Sequence, residues 1–466
     1  MPSSPALKRG IRFRDLVLLY VVIVFSIRWT AAAATAGPSI LIVWVAALLF
    51  FFIPLAACVM ELSSRHPEEG GIYIWTREAF GDFSGFVCAW TYWMSNLPFF
   101  AAILYFGAAS ALFAFGHRAQ SLAASPLYYV AFAIIALSLI TLLNILGIDS
   151  GKWLNNIGAL GSLLPLTILL LLALVSWFRF GVVLHVTPAS LVPHWSFDNA
   201  VFWSNVFFAF SAIESASAMG DEIQNPRRTI PWALLVGGII LTIGYIAGTA
   251  AFLFMLPPQA VAGPDGFVHG IQMLANRLGL AWLLAPMALF VALSAVGQAA
   301  GNLSSTARLP FAVGVDRYLP PAFGSIHPRF RTPWVAIGVY GAAGIVVAIL
   351  SQAGTTVRGA YDIMVSMSVI SLFIPYLFLF SAMIRLQSRP TAPQIRRVPG
   401  GKPVAIALAS LGLISTAITI VLSAIPSADE TDKPLAIAKV LGGTAVLVGL
   451  GIAVFLFSKW RTHRIT

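Results

Sequence analysis

The chain has 466 residues, 59% of them hydrophobic and only 10% charged, a balance that excludes an ordinary water-soluble domain and requires most helices to face lipid. Its formal charge of +11 would suit a nucleic-acid partner, but the basic residues are spread over short loops between apolar runs, so the charge reports membrane orientation and no nucleic acid is expected. Cys58 and Cys88 both fall inside apolar runs and suggest neither a disulfide framework nor a metal site. No Walker-type glycine loop is present, and no cofactor is expected.

Crossing about 30 Å of hydrocarbon takes roughly 20 mostly apolar residues. The sequence predicts twelve such spans, at 15–36, 39–61, 84–115, 126–147, 153–178, 199–220, 231–255, 281–306, 333–352, 360–385, 403–425 and 434–458. With the N-terminus in the cytoplasm, only Arg118, Arg179, Arg277, Arg358 and Lys433 fall on the outer side. Arg28 and Lys439 lie within spans, and all other Lys and Arg face the cytoplasm. That asymmetry predicts a multi-pass protein of the cell (inner) membrane with both termini cytoplasmic. Loops are short, so 1–466 reads as one all-α domain: a five-helix block at 15–178, a second at 199–385, and two extra helices at 403–458.

The first span carries a charge midway, in Ser26-Ile27-Arg28-Trp29-Thr30. The sixth does the same, in Phe208-Ala209-Phe210-Ser211-Ala212-Ile213-Glu214. Each heads a five-helix block, and paired interrupted segments at corresponding positions point to an inverted repeat with its site at the midplane. A charge at that depth costs a few kcal/mol even on insertion scales, so it must face the interior, a partner or water. Arg28 and Glu214 are therefore expected to share one polar cavity, either binding substrate or pairing to tie the two halves together. In the third span, Asn96 stands near Pro98, placed either to touch substrate or to satisfy backbone groups that the proline frees.

Loop sequences add a resemblance. Glu68-Glu69-Gly70-Gly71-Ile72-Tyr73-Ile74-Trp75 with Ala79-Phe80-Gly81, Glu214-Ser215-Ala216-Ser217 with Asn225-Pro226-Arg227-Arg228-Thr229-Ile230-Pro231, Arg308 with Asp316-Arg317-Tyr318-Leu319-Pro320, and Arg397-Val398-Pro399-Gly400-Gly401-Lys402 resemble the amino acid-polyamine-organocation (APC) superfamily. The pattern is most similar to its bacterial glutamate/GABA and arginine/agmatine antiporters. The resemblance implies a LeuT-like five-plus-five inverted repeat plus two helices, with a small-molecule substrate held between helices 1, 3, 6, 8 and 10. It implies alternating access driven by exchange or by protons, with amino acids as substrate and polyamines or other amines as the alternative.

Residue by residue, the resemblance makes Phe208 an aromatic gate and Asn96 a substrate contact. It puts Ala299 where the arginine/agmatine antiporter stacks a Trp, which disfavours arginine and agmatine. Ser162 stands where proton-coupled relatives carry a Lys; no histidine lies mid-span, so Glu214 is left as the proton-coupling candidate. The first span lacks the family's glycine-rich break, so the Ser26 and Thr30 hydroxyls are expected to serve its freed backbone. Substrate carboxylate is expected at Arg28 and at the N-terminal end of a half-helix in the sixth span, with Phe208 and Trp29 closing over it. Glu68, Glu69 and Arg77 are expected either to pair with Asp221, Glu222, Arg227 and Arg228 as a cytoplasmic gate or to remain solvated. An enzyme would need a nucleophile with a base or a metal cluster in the spans, and a sensor an output domain. Neither is seen in the sequence.

Overall fold

A computed structural model describes residues 10–68, 70–184, 186–194, 196–315, 318–352, 356–389, 395–425 and 433–463. Among these, regular structure is helical throughout, apart from one isolated parallel bridge between Ile11 and Ile223. Ten helices are long and apolar enough to cross a membrane, and an eleventh candidate is a bent pair, α1 (Phe13–Val24) and α2 (Arg28–Ala34), which meet at 42°.

The sixth span, expected over 199–220 with an interruption, is not a single helix. It forms α5 (Phe197–Phe208), then an irregular stretch, then a 3-10 turn over Ser215–Glu222, and does not reach spanning length as a single helix. Two short helices, Ile72–Phe80 and Gly266–Arg277, occupy stretches expected as loops.

Five other elements line the site or pack against its breaks: α3 (Ile40–Arg65), which contains a π segment at Leu48–Phe52, α4 (Asp82–Leu112), α6 (Pro226–Met255), α7 (Leu284–Thr306) and α8 (Val357–Leu386). Burial ranks them. The most apolar part of the Asp82–Phe115 span is 89% buried, against 22% for Ile437–Arg461, so α4 is the central post and the last helix faces lipid.

Lipid supplies no hydrophobic drive between helices, so close approach depends on small residues. Gly158, in the Ile148–Phe180 helix, meets Gly297 of α7 backbone to backbone; a Cβ on Gly158 would lie 2.6 Å from the Gly297 Cα. On α6, Gly244 receives the Phe25 ring and Gly248 the Thr30 methyl, each leaving only 2.8 Å to an added Cβ. Near the C-terminal end of α3, buried Glu61 accepts from Arg65 (2.6 Å), Gln387 (2.7 Å) and the Val398 amide (2.9 Å), tying α3 and α8 to the loop that follows.

Candidate substrate site between two broken helices

Breaking a buried helix strands backbone groups that must find partners. The α1/α2 break spans Phe25–Ile27 and contains no glycine. The Tyr245 hydroxyl, from α6, accepts from the Ser26 amide (3.2 Å) and donates toward the Val24 carbonyl (2.7 Å) and the Ala209 carbonyl (3.0 Å) of the α5 break. One side chain thus serves both breaks. Gln298 of α7 donates to the Ile23 carbonyl (3.0 Å). Thr30 donates to the Ile27 carbonyl (2.7 Å), as expected, but the Ser26 hydroxyl is buried without a partner. In the α5 break Ala212 adopts a left-handed conformation (φ 70°), at about 1–2 kcal/mol for a residue with a Cβ. Its amide donates to the Tyr376 hydroxyl (2.6 Å).

A cavity of about 30 Å³ lies between the breaks, room for roughly two waters. Of the candidate site residues, Ser26, Trp29, Asn96, Phe208, Ser211 and Ala212 line it. Ala299 does not. Its neighbours Gln298 and Asn302 do, together with Ser95, Phe99 and Ser368, which the sequence had not singled out. The polar lining is neutral throughout. Asn96 also donates to the Tyr92 carbonyl (3.2 Å), so it faces the cavity while holding its own helix.

The two mid-span charges do not converge. Arg28 is 4% exposed; its Nη1 donates to Tyr361 (3.0 Å), and its guanidinium lies 4.6 Å from the Trp29 ring centre, 5.6 Å from that of Tyr361 and 5.9 Å from that of Phe99. Nε and Nη2 are buried with no hydrogen-bond partner. Glu214 accepts instead from Tyr92 (2.5 Å) and from Tyr376 (2.9 and 3.0 Å). Tyr361 and Tyr376 both stand on α8, about 22 Å apart along its axis at 1.5 Å per residue. Arg28 and Glu214 therefore occupy opposite ends of the cavity region; neither lines the cavity, and neither pairs with the other. Ile27, which caps α2, and Thr30 are also buried away from it.

Beyond Trp29 lies a vestibule of about 470 Å³, walled by Thr35, Asn205, Arg358, Tyr361 and Asp362. Trp29 lines both spaces, and its ring meets Phe208 edge-on at 6.0 Å, forming the partition. The opposite side is shut. The Gly10 and Ile11 amides donate to the Glu222 carbonyl (3.0 Å each), and Gln224 donates back to Ile11 (2.9 Å). Glu222 forms a buried ion pair with Arg308 (3.0 Å) rather than with the loop arginines of the expected gate. Glu68 pairs with His66 (3.3 Å), Arg77 lies over the Tyr73 ring, and Arg228 is exposed. Glu69, Asp316 and Arg317 lie outside the described residues. Ser162, at the expected lysine position, shares a hydrogen bond with Ser294 (2.6 Å).

The sequence profile of the amino acid permease family matches residues 11–447. The chain is 26% identical to an uncharacterized transporter of Legionella pneumophila over 97% of its length and 96% of the relative's. It is 22% identical to a probable agmatine/putrescine antiporter of Lactococcus lactis over 88% and 87%, and 26% identical to a serine/threonine exchanger of Bacillus subtilis over 71% of each chain. A profile covering nearly the whole chain, together with these relatives, establishes that the protein belongs to the amino acid permease family of the APC superfamily, membrane transporters rather than enzymes.

Proposed function

We propose that this protein is a secondary transporter of small neutral amino acids, working by alternating access in the cell membrane. In this reading it has twelve spans, with the broken sixth as one of them. A five-plus-five inverted repeat covers 15–178 and 199–385, two helices at 403–458 are added, and both termini are cytoplasmic. The carrying observation is Arg28: a buried guanidinium with two unpartnered nitrogens beside a cavity of neutral polar groups. Burying an unmatched charge is unfavourable by several kcal/mol, and a carboxylate arriving through the vestibule relieves it with a charge-assisted, two-pronged contact. Ser26, Asn96, Ser211, Gln298 and Asn302 then face the amino group and side chain. Trp29 and Phe208 part to admit the substrate and close behind it, and the cavity widens beyond its present 30 Å³.

The relative named a serine/threonine exchanger suits that neutral lining. A cationic amine would need a free carboxylate, and Glu214 is already held by two tyrosines. Uptake into proteoliposomes by Arg28→Ala should fall at least tenfold, and in the parent protein serine or threonine should compete where putrescine does not. Near-normal uptake by the variant, or competition by putrescine alone, overturns the reading.

Glu214 is the proposed proton carrier in a proton-coupled cycle. Released by Tyr92 and Tyr376 when the N-terminal side opens, it would exchange its proton there. Glu214→Gln should then remove the dependence of uptake on an imposed pH gradient while leaving exchange intact; a variant that still responds to the gradient assigns coupling elsewhere.

A further inference from the structure

A second cavity lies on the lipid-facing side of the molecule. It is a groove of about 550 Å³ between α3 and α6, walled by Phe52, Ala57 and Met60 on one side and Leu235, Gly238 and Ile243 on the other. On α6 it extends from Pro231 to Ile243, about 18 Å at 1.5 Å per residue, close to one leaflet's share of a hydrocarbon layer about 30 Å thick. Thr242 is the one polar side chain among its lining residues. A slot of this length and composition, open to the bilayer, fits an acyl chain.

The groove has a charged end. Its α6 wall repeats at Pro231, Leu234 and Leu235, Gly238 and Thr242, one face of the helix. Extending that face one turn toward the N-terminus reaches Arg227 and Arg228, both exposed. Nearby Trp232, 48% exposed, has the placement of an interfacial aromatic and sets the headgroup level there. Basic side chains at that level attract anionic lipid.

The groove also reaches the broken helix. Phe52, at one end of the π segment, lines it, and its ring stands 5.2 Å from that of Phe210 in the α5 break. The same ring leaves only 2.7 Å to a Cβ added at Gly238.

We propose that one anionic phospholipid binds here, with an acyl chain along the groove and its phosphate at Arg227 and Arg228, bracing Phe52 against the α5 break. The site does not depend on what the protein transports. Its test is a binding measurement, so its failure is separate from failure of the transport reading.

Purified protein equilibrated with equimolar phosphatidylglycerol and phosphatidylcholine in detergent is analysed by native mass spectrometry. One phosphatidylglycerol should be retained preferentially. Replacing both arginines, Arg227→Gln with Arg228→Gln, should lower that preference roughly tenfold or more while one lipid of either kind still binds. Ala57→Phe should fill the groove and displace both lipids, and Leu235→Trp should do the same from the opposite wall if the first variant does not purify as a single species. Equal retention of the two lipids by the parent protein, or retention unchanged by both groove-filling variants, overturns the proposal. Displacement by inorganic phosphate would assign the arginines to a soluble anion and overturn it equally.

Discussion

Arg28 and Arg308 are buried to nearly the same degree, 4% and 2% exposed, yet their charges are met in opposite ways. Arg308 faces Glu222 with two nitrogens, at 3.0 and 3.3 Å, and its third donates to the Ser304 carbonyl. Arg28 has one neutral hydroxyl, three aromatic faces and two unmatched nitrogens. A matched buried charge holds the fold together at that point. An unmatched one, beside a cavity and a vestibule, suits the carboxylate contact proposed for Arg28. The contrast separates the tie on the N-terminal side from the binding role proposed for Arg28, although both involve the same residue type.

Three substitutions test it, in order of expected effect on stability. Arg308→Met leaves Glu222 buried without its partner and should lower stability by about 3–5 kcal/mol, seen as a large fall in Tm in detergent. A small fall would mean that Glu222 finds another donor and that the ion pair is not the tie. Tyr245→Phe strips one hydroxyl from three backbone groups and should destabilise by about 1–3 kcal/mol. An unchanged Tm would show that the breaks are held by other contacts. Arg28→Ala should leave Tm unchanged or slightly higher while uptake collapses, because no carboxylate loses its partner. If it instead destabilises as much as Arg308→Met, Arg28 is structural and the comparison fails.

Much of the helical framework was legible in the sequence because the length and apolarity of a span are local properties. The two breaks were legible too, marked by Arg28 and Glu214 in apolar runs. Their partners were not: Tyr361 lies 333 residues from Arg28, and Tyr92 lies 122 from Glu214, so contacts between helices set them and no local pattern encodes them. The break in the first span contains no glycine of its own. The relevant glycines are Gly244 and Gly248, on the neighbouring α6, which make room for the bent segment.

Ala299 shows how fine the register is. Adjacent residues on a helix point about 100° apart, so an inference one position off from Gln298 lands on a packed face. The true cavity pair, Gln298 and Asn302, sits at the i, i+4 spacing of one face.

Tyr245 carries a consequence for motion. Because its hydroxyl bridges the Val24 and Ser26 positions on one side and Ala209 on the other, neither hinge can swing alone without rupturing a bond to the shared atom. In the alternating access proposed above, either the pair travels as a unit with α6, or the transition passes through a moment when those carbonyls are bare, and that moment would set its rate.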